Sequence, residues 1–122
     1  MANKTVFVLG MDGFNQAKLE RLSSARDCRF VGLIDPAEIM EAEYFPIDDM
    51  LARATAQVEA HETPPDALIG YVDFPVSTML PILAQRFGLR APSLEALLKC
   101  EHKYWSRSVQ REVVPEHIPR FE

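Results

Sequence analysis

The sequence is poor in the features that announce a specialised class of protein. It has two cysteines, Cys28 and Cys100, far apart and without paired-ligand spacing. Reduced thiols in a cytoplasmic protein are the expectation. No apolar run comes near the ~20 residues of a membrane span, and no charged-then-apolar leader opens the chain. The 13 Lys and Arg residues are scattered and the formal net charge is −5, so no basic stripe offers a nucleic-acid footprint. His61, His102 and His117 are too widely spaced to act together as metal ligands and read as solvated or capping residues. Internal repeats and low-complexity segments are also missing. What is there is a 122-residue chain, 48% hydrophobic and 25% charged. A chain of that size buries roughly two-thirds of its unfolded surface, enough for a core of its own.

Hydrophobic patterning divides the chain into alternating elements. Thr5-Val6-Phe7-Val8-Leu9-Gly10 is continuous, β-branched and too short for a helix, which predicts a strand buried on both faces. Gly10 to Gly13 breaks it, and a helix follows from about Asn15 with Ala17, Leu19, Leu22 and Ala25 inward. A second strand runs from Phe30 to Asp35, and residues 36–47 read as irregular around Pro36 and Pro46. Asp48 is placed to cap a second helix in which Met50, Leu51, Ala54 and Val58 recur at helical spacing. After the Thr63-Pro64-Pro65-Asp66 turn comes a third strand, residues 67–73. Val76, Met79, Leu80, Leu83, Ala84 and Phe87 then mark the cleanest helix, stopped by Gly88. Leu89 to Pro92 is extended, with room for a minimal fourth strand. Ser93 caps a further helical stretch anchored by Leu94, Leu97, Leu98, Tyr104, Trp105 and Val109 and ended by Pro115 and Pro119. Strand–helix alternation implies parallel pairing through right-handed crossovers. The expected fold is a small Rossmann-like, three-layer α/β domain over residues 1–92, with a three- or four-stranded parallel sheet. Residues 93–122 form a helical extension.

Ligands of such sheets collect beyond the carboxyl ends of the strands. That nominates Gly10 to Gly13, Asp35, and Asp73 to Ser77. Gly10-Met11-Asp12-Gly13-Phe14-Asn15 lacks the G-x-G-x-x-G pattern, and Asp12 sets a negative charge where a pyrophosphate would approach. Gly10 and Gly13 are most simply a tight strand-to-helix turn. Asp73 alone makes a poor phosphoacceptor site, since Asp12 lacks the acidic neighbour that magnesium would need. Ser77 and Thr78 read as capping residues, and Trp105 as a packing residue.

The last third of the chain adds a different kind of clue. Gly88-Leu89-Arg90-Ala91-Pro92-Ser93-Leu94-Glu95-Ala96, then Cys100-Glu101-His102-Lys103, then Val113 to Phe121 through Pro115 and Pro119 form one run. It resembles the end of the small N-terminal domain of ATP-grasp enzymes, the pre-ATP-grasp or biotin-carboxylase N-terminal-like domain. There a "G-L-x-x-P-S" exit leads to a helix, a "D-K" pair, another helix, and "G-V-P-x-P-x-F". This chain has His102 where Asp is common, Glu112 in place of a small residue, and Glu116-His117 lengthening the final turn.

The resemblance implies a domain that is not catalytic by itself and forms one wall of an active-site cleft. The complete enzyme would be a carboxylate–amine or related ligase working through an acyl-phosphate. It implies ATP and magnesium in the full-length parent, a downstream ATP-grasp domain on the same polypeptide, and a small-molecule carboxylate or amine substrate. Lys103 would reach the nucleotide; Gly10, Asp12, Gly13, Asp73 and Ser77 would help hold the acceptor. Two other readings stay open: a stand-alone nucleotide- or dinucleotide-binding module, and an interaction domain using Tyr104, Trp105 and Phe121. The last of these aromatics also raise the expectation of a homodimer through the C-terminal helix. No nucleic-acid or membrane partner is expected.

Overall fold

The structure, a computed structural model, describes residues 3–121. The chain divides into two compact units, Met1–Ala91 and Pro92–Glu122.

The first unit is α/β, built on a parallel sheet of three strands: β1 (Lys4–Leu9), β2 (Cys28–Leu33) and β3 (Ala67–Ile69), in the order β2-β1-β3. β1 is central and nearly all buried, as its uninterrupted apolar run predicts. It pairs with β2 from Lys4↔Cys28 to Leu9↔Leu33, and with β3 from Val6↔Ala67 to Val8↔Ile69. Because β1 lies between its two successors, right-handed crossovers put the two connections on opposite faces. Phe7 and Leu9 point to the face that carries the main core, where they meet Leu33, Ile39, Met50, Leu51, Ala54, Val58, Val76, Met79 and Leu83. Val6 and Val8 alternate to the other face.

The first helix, α1 (Gly13–Arg21), begins two residues before Asn15 because Asp12 is its N-cap, accepting the Asn15 amide at 2.9 Å. Its expected inner face is corrected: no residue of α1 is fully buried, Ala17 and Leu22 are exposed, and Leu22 lies past the helix end. A helix packed beside the edge strand β2 has a narrow stripe to hide, and half-buried Leu19 supplies it.

Residues 36–47, expected to be irregular, hold a short helix, α2 (Pro36–Met40). Asp35 caps it through the Ala37 amide at 2.9 Å, and Pro36 sits where a missing N–H costs nothing. The next helix, α3 (Ile47–Glu59), starts ahead of Asp48. Pro46 holds the cap position without a side-chain bond, and Asp48 and Asp49 lie in the first turn, at the positive end of the helix dipole. Its buried residues are Met50, Leu51, Ala54 and Val58, the four that the spacing predicts. Arg53 on α3 holds Glu38 of α2 at 2.7 Å and Asp49 at 2.8 Å, so its guanidinium is raised further above its usual range.

β3 stops at Ile69, short of Asp73, because the chain turns aside at Gly70 to meet α4 (Val76–Arg86). A β-carbon on Gly70 would fall on a methyl group of Val76 and 3.0 Å from Cδ1 of Leu80. The first turn of α4 is therefore pressed against the end of β3, and only glycine leaves room. At the far end Gly88 adopts φ +65°. Its amide bonds the Gln85 carbonyl and the Leu89 amide bonds that of Ala84, the paired bonds of a Schellman stop. Leu89 to Pro92 forms no strand.

In the second unit the single helical stretch expected after Ser93 is two helices, α5 (Leu94–Glu101) and α6 (Lys103–Val113). Ser93 caps α5 through the Ala96 amide at 3.1 Å. The break is His102, with φ −71° and ψ 106°, which ends α5 and caps α6. A one-turn 3₁₀ segment, Pro115–His117, follows.

Two alanine substitutions separate the roles of these glycines. Gly70→Ala forces Val76 aside and is expected to destabilise the protein by about 1–3 kcal/mol, the usual scale of overpacking. Gly13→Ala meets nothing within 4 Å, and is expected to stabilise by roughly 0.4–1 kcal/mol through the unfolded chain. Denaturant unfolding of the two variants checks both signs.

Candidate functional site

Parallel strands end along one edge, so residues 10–12, 34–46 and 70–75 gather at the carboxyl end of the sheet. All the strand-end residues singled out from the sequence lie there: Gly10, Asp12, Gly13, Asp35, Asp73 and Ser77. What each does differs.

Gly10 takes φ +70°, a β-carbon there would strike Cδ1 of Ile39, and its amide bonds the Leu33 carbonyl at 2.7 Å. It is a turn made tight by packing. Gly13, the first residue of α1, is exposed with open space where a side chain would be. Asp12 is engaged on all sides. Its carboxylate accepts the Asn15 amide at 2.9 Å, the Asn15 side-chain amide at 2.7 Å and the Tyr71 hydroxyl at 2.7 Å. These bonds, led by that from the Asn15 side chain, bring its pKa down from an ordinary 3.8 to about 2.

Tyr71 is the residue that the sequence reading missed. Two positions beyond β3, its hydroxyl accepts the Asp12 amide at 2.9 Å and lies 3.0 Å from the Gly10 carbonyl, which competes with Asp12 for its proton. Desolvation is the main cause that pushes its own pKa up, and Asp12 adds to it. The loops after β1 and β3 leave the sheet in opposite directions, and the crevice between them is where such folds place phosphates. Here Tyr71 spans it. The α1 N-terminus already holds the Asp12 carboxylate, so a pyrophosphate would meet like charge and amides already bonded.

Asp73 is exposed, and one of its oxygens accepts the Phe74 amide at 2.9 Å. Ser77 does not cap α4: it lies inside the helix, its amide bonds the Asp73 carbonyl at 3.4 Å, and its buried Oγ has no partner among the described residues. Asp35 spends its carboxylate on capping α2. Around them stand exposed rings. Phe14 is 70% exposed with the Lys18 ammonium 4.2 Å from its centre, and Phe74, 55% exposed, meets Phe45 edge-on at 5.7 Å. The described residues bring no three of His, Cys, Asp or Glu together as metal ligands. None of their helices is long and apolar enough to cross a membrane, and Cys28 and Cys100 are free thiols.

Lys103 belongs to the second unit. It is the exposed first residue of α6, and among the described residues it has no carboxylate partner. A cation at the positive end of a helix gains nothing from the dipole. Beside it, Nδ1 of His102 accepts the Trp105 amide at 3.3 Å, an imidazole filling the cap that Asp, Ser or Asn commonly fills. Trp105 is 38% exposed, with Lys99 5.7 Å from its ring. Further along this unit a pocket of about 630 Å³ opens between Arg111 and the Pro115–Phe121 segment.

No protein-family model matches the chain, and no curated protein and no solved structure proves similar to it.

The Asp12 clasp gives a pH prediction with a definite sign. A carboxyl whose folded pKa lies below its unfolded value contributes stability that is fully present above about pH 4 and is lost as pH falls through about 2. Carboxyl-carbon NMR is expected to show Asp12 titrating near pH 2, and Tyr71→Phe to move that midpoint upward. The α6 cap gives a second. His102→Ala is expected to cost about 1 kcal/mol and to speed exchange of the Trp105 amide, whereas His102→Asp restores or improves protection. Hydrogen exchange at Trp105 reads both.

Proposed function

We propose that this chain is the N-terminal, non-catalytic wall of an ATP-dependent carboxylate–amine ligase of ATP-grasp type. The observation that carries the proposal is the succession of stops and caps in residues 88–121. The Gly88 stop is followed by an extended exit, the Ser93 cap, α5, a break at His102-Lys103, α6 and a proline-bounded turn. That is the element order of the run which the sequence resembles, and the departure at His102 keeps the capping role that an aspartate would have there.

In this reading the strand-end edge of the first unit faces the acceptor substrate. Asp73 and the rings of Phe14 and Phe74 are the groups free to touch it. Asp12 and Gly10 act behind them by fixing the loop. Lys103, which has no carboxylate partner among the described residues, supplies charge for a nucleotide phosphate. Magnesium would be held by acidic residues of the downstream lobes. The dinucleotide-binding alternative loses ground to Tyr71, whose hydroxyl occupies the crevice such a ligand needs.

The test is made on the native gene product. An antibody against this chain is expected to detect a species several-fold heavier than 13.8 kDa. That species is expected to consume Mg-ATP in the presence of a carboxylate and an amine, with Lys103→Ala raising the KM for ATP. A native product of 13.8 kDa, or a heavy one without ATP turnover, would overturn the proposal.

A further inference from the structure

The second unit carries a feature that the ligase reading does not use. Its pocket of about 630 Å³ is lined by Arg111, Pro115, Ile118, Pro119, Arg120 and Phe121, a volume in the range of small-molecule sites. Among the described residues, two cations and no acid line it. Among the described residues, neither Arg111 nor Arg120 pairs with a carboxylate; Glu116 keeps company with His117 at 3.6 Å, and Glu112 lines a smaller hollow of about 280 Å³ on another side of Arg111. The Arg111 guanidinium lies 4.2 Å from the centre of the Phe121 ring, and Tyr104 closes on the same ring edge-on at 5.4 Å.

These contacts have a chemical consequence. A guanidinium stacked on an aromatic ring has its plane fixed while its N–H groups stay free at the rim, so less freedom is lost when it grips an oxyanion. Arg111 sits in the last turn of α6 and there also meets the negative helix end. Arg120 lies on no helix, so the dipole gives no account of the second cation. Pro115, Ile118 and Pro119 add rigid apolar wall, which suits the body of an organic molecule rather than a bare hydrated ion. We propose that this pocket binds a small organic oxyanion, a carboxylate or phosphate ester with a flat apolar body. Arg111 and Arg120 would hold the anionic group, and the Phe121 and proline surfaces would hold the body.

The proposal is tested on the full chain by NMR titration with phenyl phosphate, benzoate, inorganic phosphate and uncharged phenol. Saturable shifts confined to Arg111, Ile118, Arg120 and Phe121 are expected with phenyl phosphate or benzoate, and the tighter of the two identifies the anionic group. Arg111→Gln and Arg120→Gln are each expected to weaken binding about tenfold, the scale of one charge-assisted hydrogen bond. Arg111→Lys keeps the charge but loses the fork, and is expected to weaken it as well. Arg120→Gln lies outside the helices and keeps the test sound if the α6 variants unfold. Inorganic phosphate binding as tightly as phenyl phosphate would mean an adventitious ion only. That result, shifts equal with phenol, or binding unchanged in Arg111→Gln and Arg120→Gln would overturn the proposal.

Discussion

The first unit is organised around a steric constraint at the end of β3. Val76 opens α4 with a branched side chain that occupies the space over Gly70, and its other methyl comes within 3.9 Å of where a β-carbon of Gly10 would stand. One residue thus meets the ends of two neighbouring strands: it leaves room only for glycine at Gly70, while at Gly10 it makes an ordinary contact and the side chain of Ile39 is what excludes a β-carbon. The consequence is a short β3 and a sharp departure of the chain from the sheet. That departure lets Tyr71 turn back across the crevice to Asp12. Core packing under α4 and the hydrogen bonds above the sheet are therefore two effects of one close approach. Ile34 adds a further sign of tight construction, holding φ 57° while buried, with its amide bonded to Gln57 at 3.0 Å. A β-branched residue in that region is strained, and it persists where the surroundings over-determine it.

Satisfaction of polar groups then decides what the sheet edge can do. At the β1 end, the amide of Asp12, the carbonyl of Gly10 and the carboxylate of Asp12 all find partners within the chain. A ligand there would have to break bonds already made, and a phosphate would also face the Asp12 charge. At the β3 end, Asp73 has spare acceptor capacity and the Phe74 ring, packed edge-on against Phe45, is still more than half exposed. Unspent polar capacity at this edge therefore lies in the β3–α4 loop, whereas the polar groups of the β1–α1 loop are bonded within the chain.

Much of this was legible in the sequence where one local signal sufficed. The central strand, the buried quartet of α3, the inner face of α4, the Gly88 stop and the Ser93 cap each follow from residues a few positions apart. Misreadings arose where a distant partner decides. The helix at Pro36–Met40 is the exception, since the adjacent Asp35-Pro36 pair is a local cap and first residue. The early end of β3 depends on Val76, six residues on. Tyr71 gave no signal, because a tyrosine after a strand looks alike whether it faces solvent or reaches a loop 59 positions earlier. Arg111 and Arg120 were passed over for a similar reason: scattered arginines acquire meaning only when a turn brings them to one pocket.

His102 joins two helices through a single residue. The residue between α5 and α6 must end one helix and start the next, which calls for extended dihedrals and a side-chain acceptor close to the backbone. Aspartate meets both needs with a charge that complements the helix dipole. Histidine meets them with a ring nitrogen that accepts the Trp105 amide at 3.3 Å and carries no carboxylate charge. The positive end of α6 is then left less neutralised, with Lys103 directly beside it. Exchanging the carboxylate for an imidazole thus keeps the bend between the helices while raising the local positive potential. The histidine therefore leaves the positive end of α6, beside Lys103, without the negative charge that an aspartate cap would place there.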